Sequence, residues 1–257
     1  MVRKWLVMVW LVVFFGGSAV SCTNREDAWL RIQETKVLRV GLDPTYPPFE
    51  QLENDRLVGL DVDLAQAIAT DLGLTAEFVY FGYDGLYDAL ATEQVDVLIS
   101  ALVVAPERGR DFAFSEPYFN AGQILIVPQA EKDIEDMRDL NGRILAVELG
   151  AQGHVEAITW QRQLPEMDVQ PYNTADEALT AVATGKADAA LVDAVSGRLF
   201  IRHEPSLRRL PTPVTVEPYA IVTRIEDRLL LENINQSLET LQQTGKLDTI
   251  ITHWLDN

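Results

Sequence analysis

The 257-residue chain has a single cysteine, so it has no internal disulfide and no Cys-rich metal centre. Its three histidines, His154, His203 and His253, show no close metal-ligand spacing. Neither a metal nor a cofactor is expected. Basic residues are scarce, with 21 Lys+Arg against 39 Asp+Glu and a net charge of -18. No basic stripe is offered to phosphates, which argues against nucleic-acid binding. Long apolar runs are also lacking. The one prominent run, Trp5 to Phe15, is shorter than the about 20 residues that span a bilayer. A content of 47% hydrophobic and 23% charged residues is globular, and the length suits one large domain or two lobes of roughly 100 residues.

The N-terminus reads as an export signal. Arg3 and Lys4 precede the apolar run, and Gly16, Gly17, Ser18 and Ala19 follow it. Ala19-Val20-Ser21-Cys22 resembles a bacterial lipobox, although alanine is a less usual first residue than leucine. The expectation is a signal peptide over 1–21 and a lipid on Cys22. A tether over 22–36, with one helical turn in it, would then hold the protein outside the cytoplasm at a membrane. An ordinary cleaved signal and an uncleaved anchor are the alternatives.

Val37 to Leu42 alternates as a strand. Asp43 to Phe49 holds three prolines, which require an extended loop. Asp61 to Leu72 has helical apolar spacing and stops at Gly73. Strands are expected over Ala76–Phe81, Val95–Ser100, Arg143–Val147 and Ala187–Val192, and helices over Gly85–Ala91 and 175–184. Two helices broken at Gly245 are expected over Arg228–Leu255. Strand–helix–strand order implies an α/β fold with mainly parallel sheets. Ala91-Thr-Glu-Gln-Val-Asp-Val97 and Ala183-Thr-Gly-Lys-Ala-Asp-Ala189 echo each other, as two similar α/β lobes would.

Several segments together carry a family resemblance. They are Gly41-Leu-Asp-Pro-Thr-Tyr-Pro-Pro-Phe49, Gly59-Leu-Asp-Val-Asp-Leu-Ala65, Ala105-Pro-Glu-Arg108, Phe114-Ser-Glu-Pro-Tyr118, Asn235-Gln-Ser-Leu238, Gly245-Lys-Leu-Asp248 and Trp254-Leu255. In this order and spacing the chain resembles the bacterial extracytoplasmic solute-binding proteins of family 3, which serve polar amino-acid ABC transporters. The resemblance implies a two-lobed flytrap with two hinge crossings, near Phe119–Gln123 and Pro213–Pro218. Lobe 1 would comprise 37–119 and 218–257, and lobe 2 would comprise 123–213. The implied protein is a monomer that captures a small amino acid or related carboxylate and hands it to an ABC transporter permease.

The same resemblance assigns the site. Arg108 would grip the ligand carboxylate, because its planar fork makes two parallel charge-assisted bonds. Otherwise it is a surface arginine beside Glu107. Asp193, ending the strand Ala189–Asp193, would pair the ligand ammonium, or cap the helix that follows. Tyr46 and Tyr83 would surround the ligand side chain, with core packing as the alternative for Tyr83. Asp43 would meet a polar or cationic tail, or stabilise its own turn. Glu148 hints at a cationic ligand, or is a solvated strand residue. Ala151 and Gln152 lie in a turn whose amides help hold the carboxylate. Val103 and the Ala101 carbonyl complete the set.

Val103, Ala105 and Gln152 stand where the family often carries hydroxyl residues, which shifts ammonium recognition toward Asp193. An enzyme similar to cyclohexadienyl dehydratases would need an added acidic group just after Asp193. Ala194, Val195 and Ser196 stand there, leaving Glu148 as the substitute. A sensory input domain is the third reading, disfavoured because no signalling module accompanies it in this sequence.

Overall fold

The computed structural model describes residues 27–257. The expected signal peptide and the lipidated Cys22 lie outside the described residues.

Two five-stranded sheets organise the chain. The first has the order Thr75–Tyr80, Val37–Leu42, Val97–Leu98, Val222–Arg224, Phe112–Phe114. The second has the order Asp168–Tyr172, Ile144–Glu148, Ala189–Asp193, Gln123–Pro128, Leu207–Arg209. In each, the first three strands are parallel and the fourth is antiparallel to both its neighbours. Four strands of five therefore share one direction. Parallel neighbours need long crossovers, supplied here by Leu60–Asp71 and Leu86–Ala91 in one lobe and Gln152–Gln161 and Ala175–Ala183 in the other. In both sheets the reversed strand is the one reached directly from the opposite lobe.

The sequence echo falls at equivalent points of the two lobes. Thr92 and Thr184 cap the C-termini of Leu86–Ala91 and Ala175–Ala183, and each hydroxyl donates to the carbonyl four residues back. Glu93 and Gly185 then take positive φ, of 61° and 70°. Asp96 next accepts from the Arg39 amide at 2.9 Å, and Asp188 from the Ile144 amide at 2.7 Å. In each lobe the echoed aspartate thus pins the start of the central strand.

Helices pack against each sheet, so inner strands such as Gln123–Pro128 and Ala189–Asp193 are almost wholly buried, while the edge strands Thr75–Tyr80 and Asp168–Tyr172 are partly exposed and carry polar residues. One core holds Leu86, Leu98 and Val222, another holds Leu125, Leu145 and Leu191, and the largest runs across both lobes. It is continuous at the crossings, where Phe119–Asn120 pairs antiparallel with Pro218–Tyr219. There Phe49 packs edge-on against Phe119 and Tyr219, with centroids 5.4 Å apart in each pair.

Two local differences from expectation have plain causes. Residues 28–35 are not a tether with one turn but the helix Ala28–Thr35, capped by Asp27. Ala28 and Ile32 are spaced to share one buried face, and the Ala28 amide donates to Asp227 Oδ1 at 2.8 Å. The proline loop is the first arm of a small sheet of Thr45–Tyr46, Glu50–Glu53 and Arg56–Val58. Asn54 and Asp55, with φ of 49° and 61°, make its hairpin turn.

Candidate functional site

Three neighbouring cavities share lining residues, and together they are lined by all ten residues expected from sequence; the third is walled by residues of both lobes, the first two by residues of the first lobe. The first, about 380 Å³, is walled by Tyr83, Tyr87, Val103 and Arg108. The second, also about 380 Å³, shares Tyr83 and Val103 with it and adds Asp43, Tyr46, Glu50 and Ala101. The third, about 270 Å³, shares Tyr46 and reaches Glu148, Ala151, Gln152 and Asp193. Tyr219, in the paired strands where the chain crosses between the lobes, lines both the second and the third cavity.

Arg108 lies in a short helical turn, Pro106–Arg108, and is exposed. Its guanidinium carbon stands 3.9 Å from the centre of the Tyr87 ring. Stacking fixes the guanidinium plane while leaving its in-plane N–H groups free to meet an anion. Tyr87 is itself held edge-on by Phe112, centroids 5.0 Å apart. Burial raises the Tyr87 phenol above its ordinary value, and the Arg108 charge opposes that shift.

Asp193 caps the helix Ala194–Ile201. Its Oδ1 accepts from the amides of Val195 at 3.0 Å and Ser196 at 2.9 Å. These bonds use one oxygen, so capping is compatible with a second oxygen that faces a cation. The helix Gln152–Gln161 starts on the same wall. Its first amides, on Gln152 and Gly153, are ones that a helix start leaves without an intrahelical acceptor. Gly153 is required there, since a Cβ would stand 2.7 Å from the Leu191 carbonyl oxygen.

Asp43 ties the aromatic loops together. It accepts from the Thr45 hydroxyl at 2.8 Å and the Tyr83 amide at 2.8 Å. Tyr46 stacks on Phe49, centroids 5.7 Å apart. Tyr83 is 61% exposed, so core packing is not its role. Burial, then the Tyr46 hydroxyl, pushes the Tyr219 phenol far up.

Sequence reasoning missed Tyr87, Tyr219 and the carboxyl pair Glu50 and Asp61. Tyr219 sits directly after the second expected crossing. Glu50 and Asp61 follow or lie within quoted motifs, and only the fold brings those motifs together. Gly59, at φ 144°, makes that approach possible, since a Cβ would stand 2.0 Å from the Phe49 carbonyl oxygen.

Comparison with known proteins places this geometry. The family "Bacterial extracellular solute-binding proteins, family 3" matches residues 38–257. The chain is 25% identical to the arginine-binding extracellular protein ArtP of Bacillus subtilis, covering 98% of both chains. It is 28% identical to the L-cystine-binding protein TcyJ of Escherichia coli, covering 98% of this chain and 95% of the relative. Among solved structures, an ancestral cationic amino-acid solute-binding protein is 31% identical with TM-score 0.66, covering 89% and 100%. An ancestral cyclohexadienyl dehydratase is 25% identical with TM-score 0.78, covering 90% and 98%.

Proposed function

Because the chain belongs to the bacterial extracellular solute-binding proteins of family 3, we propose that its cleft captures a cationic L-amino acid, arginine foremost, for an ABC transporter permease. The observation that carries this reading is the charge of the walls. Among the described residues lining the three cavities, Arg108 is the single basic side chain. Asp43, Asp84, Asp88, Glu107, Glu148, Asp193 and Glu217 line them too. A zwitterion uses one guanidinium and one carboxylate. The carboxylates left over favour a second positive charge on the ligand.

In this reading Arg108, with the amides of Gln152 and Gly153, takes the α-carboxylate. Asp193 takes the α-ammonium through its free oxygen. The side chain lies between Tyr46 and Tyr83 and points toward Asp43 or Glu148. Both lobes contact the ligand only when the cleft shuts, so binding favours the closed form. The lobes divide at the paired crossings, 37–119 with 218–257 against 123–213. The protein works as a monomer, held at the membrane by a lipid on Cys22.

A thermal-shift panel of the twenty L-amino acids on ligand-stripped protein tests this. Ligand at 100 times Kd adds about 2.7 kcal/mol, or roughly 5–10 °C in Tm for a chain of this size. Arginine, lysine or histidine is expected to give the largest shift. No shift from a folded sample contradicts the reading, and turnover of prephenate or arogenate would establish the dehydratase alternative instead.

A further inference from the structure

At the wall of the second cavity, which Glu50 lines, lie two fully buried carboxyl groups, Glu50 and Asp61. The Ser100 hydroxyl donates to Glu50 Oε1 at 2.5 Å and accepts from the Asp43 amide at 3.1 Å. Asp61 Oδ2 accepts from the Ala101 amide at 2.6 Å and from the Tyr118 hydroxyl at 3.0 Å. The remaining oxygens, Glu50 Oε2 and Asp61 Oδ1, are buried without a donor. Two adjacent carboxylates out of water are strongly disfavoured. One proton between those two oxygens supplies the missing donor and completes the network. Ala101 is held by this network in the left-handed region, at φ 46°. Such a φ is uncommon for alanine and persists only where its surroundings impose it.

We propose that Glu50 and Asp61 share one proton and act as a positioning pair, fixing the Ser100–Ala101 backbone and the Asp43 loop against the ligand cavity. Its connection to ligand affinity rests on the function proposed above; its connection to the backbone does not. Burial, followed for Glu50 by the charge of Asp61, drives both groups upward, and the hydrogen bonds to Asp61 oppose its shift. The groups facing the pair are Ser100 and Ala101 after the strand Val97–Leu98, Tyr118 before the hinge, and Asp43 beyond the first strand. None of them is a cation.

The sign follows. Above the ordinary carboxylate range the native pair keeps a proton that the unfolded chain has released. Stability therefore falls as pH rises, until the pair itself ionises. Glu50→Gln replaces the proton with an amide that cannot be lost, donating to Asp61 and accepting from Ser100. Tm between about pH 5 and pH 8.5 and the protection factor of the Ala101 amide are measured in wild type and variant. Groups outside the pair are common to both proteins, so their contributions cancel in the difference. The wild type is expected to lose Tm and at least tenfold Ala101 protection toward high pH, and Glu50→Gln to lose much less of each. Equal pH slopes overturn the shared proton, and Ala101 protection that ignores pH in both proteins overturns the positioning role. L-Arginine titrated at the same pH values adds the ligand readout, weakening several-fold at high pH in wild type alone. If arginine fails to bind, the stability and exchange measurements still decide the proposal.

Discussion

At the scale of single residues, the site is assembled by side chains that hold other side chains. Arg108 has no hydrogen-bonded side-chain partner among the described residues, and Tyr87 defines where its guanidinium lies. A half-exposed cation–π contact is worth about 0.5–1 kcal/mol. Tyr87→Leu is therefore expected to weaken arginine binding about three- to fivefold, with Tyr87→Phe staying within about twofold. Agmatine, which lacks the α-carboxylate, separates positioning from general damage. Calorimetry should show its affinity unchanged by Tyr87→Leu, and an equal loss for both ligands would mean that Tyr87 only shapes the cleft. The motif residues were legible in sequence because each carries its chemistry in its own type: a forked cation, a carboxylate at a strand end, aromatics beside prolines. Tyr87 was not, because an aromatic in a short helix reads as core until its neighbour is known. Glu50 and Asp61 were not, because their meaning is a contact between two motifs.

At the scale of elements, periodicity disclosed what periodicity controls. The strands Val37–Leu42 and Ala189–Asp193 and the helices Arg228–Gln243 and Lys246–Leu255 lie where their apolar spacing puts them. The gap between the last two falls at Gly245, in the left-handed conformation at φ 71°. The helix Ala28–Thr35 read as no more than one turn in a tether because just two of its residues, Ala28 and Ile32, are buried. Its stability comes from partners distant in sequence: Arg31 pairs with Asp96, and Asp27 accepts from the Leu229 amide at 2.7 Å. Ile32 is fully buried, so Ile32→Ala is expected to cost about 2–5 kcal/mol of unfolding free energy in urea melts. A loss below about 1 kcal/mol would show that this helix is a loose tether after all.

At the scale of the whole molecule, the two lobes repeat one topology around a narrow connection. The repeat was legible as a short echo because the turn from helix to central strand makes the same demands twice. The strands Gln123–Pro128 and Val222–Arg224 are the reversed ones, and their partners lie far from them in sequence. Arg198 crosses beside the hinge to Asp256, with bonds of 2.8 and 2.5 Å, so the lobes also meet outside the crossings. In the function proposed above, a ligand is gripped by Arg108 in the cleft between them. Calorimetric titration of L-arginine into wild type and Arg108→Ala measures this most directly. Truncating one partner of a desolvated charge pair costs about 3 kcal/mol or more, so affinity should fall at least about a hundredfold while Tm without ligand stays near that of wild type. Undiminished affinity in Arg108→Ala would contradict the account.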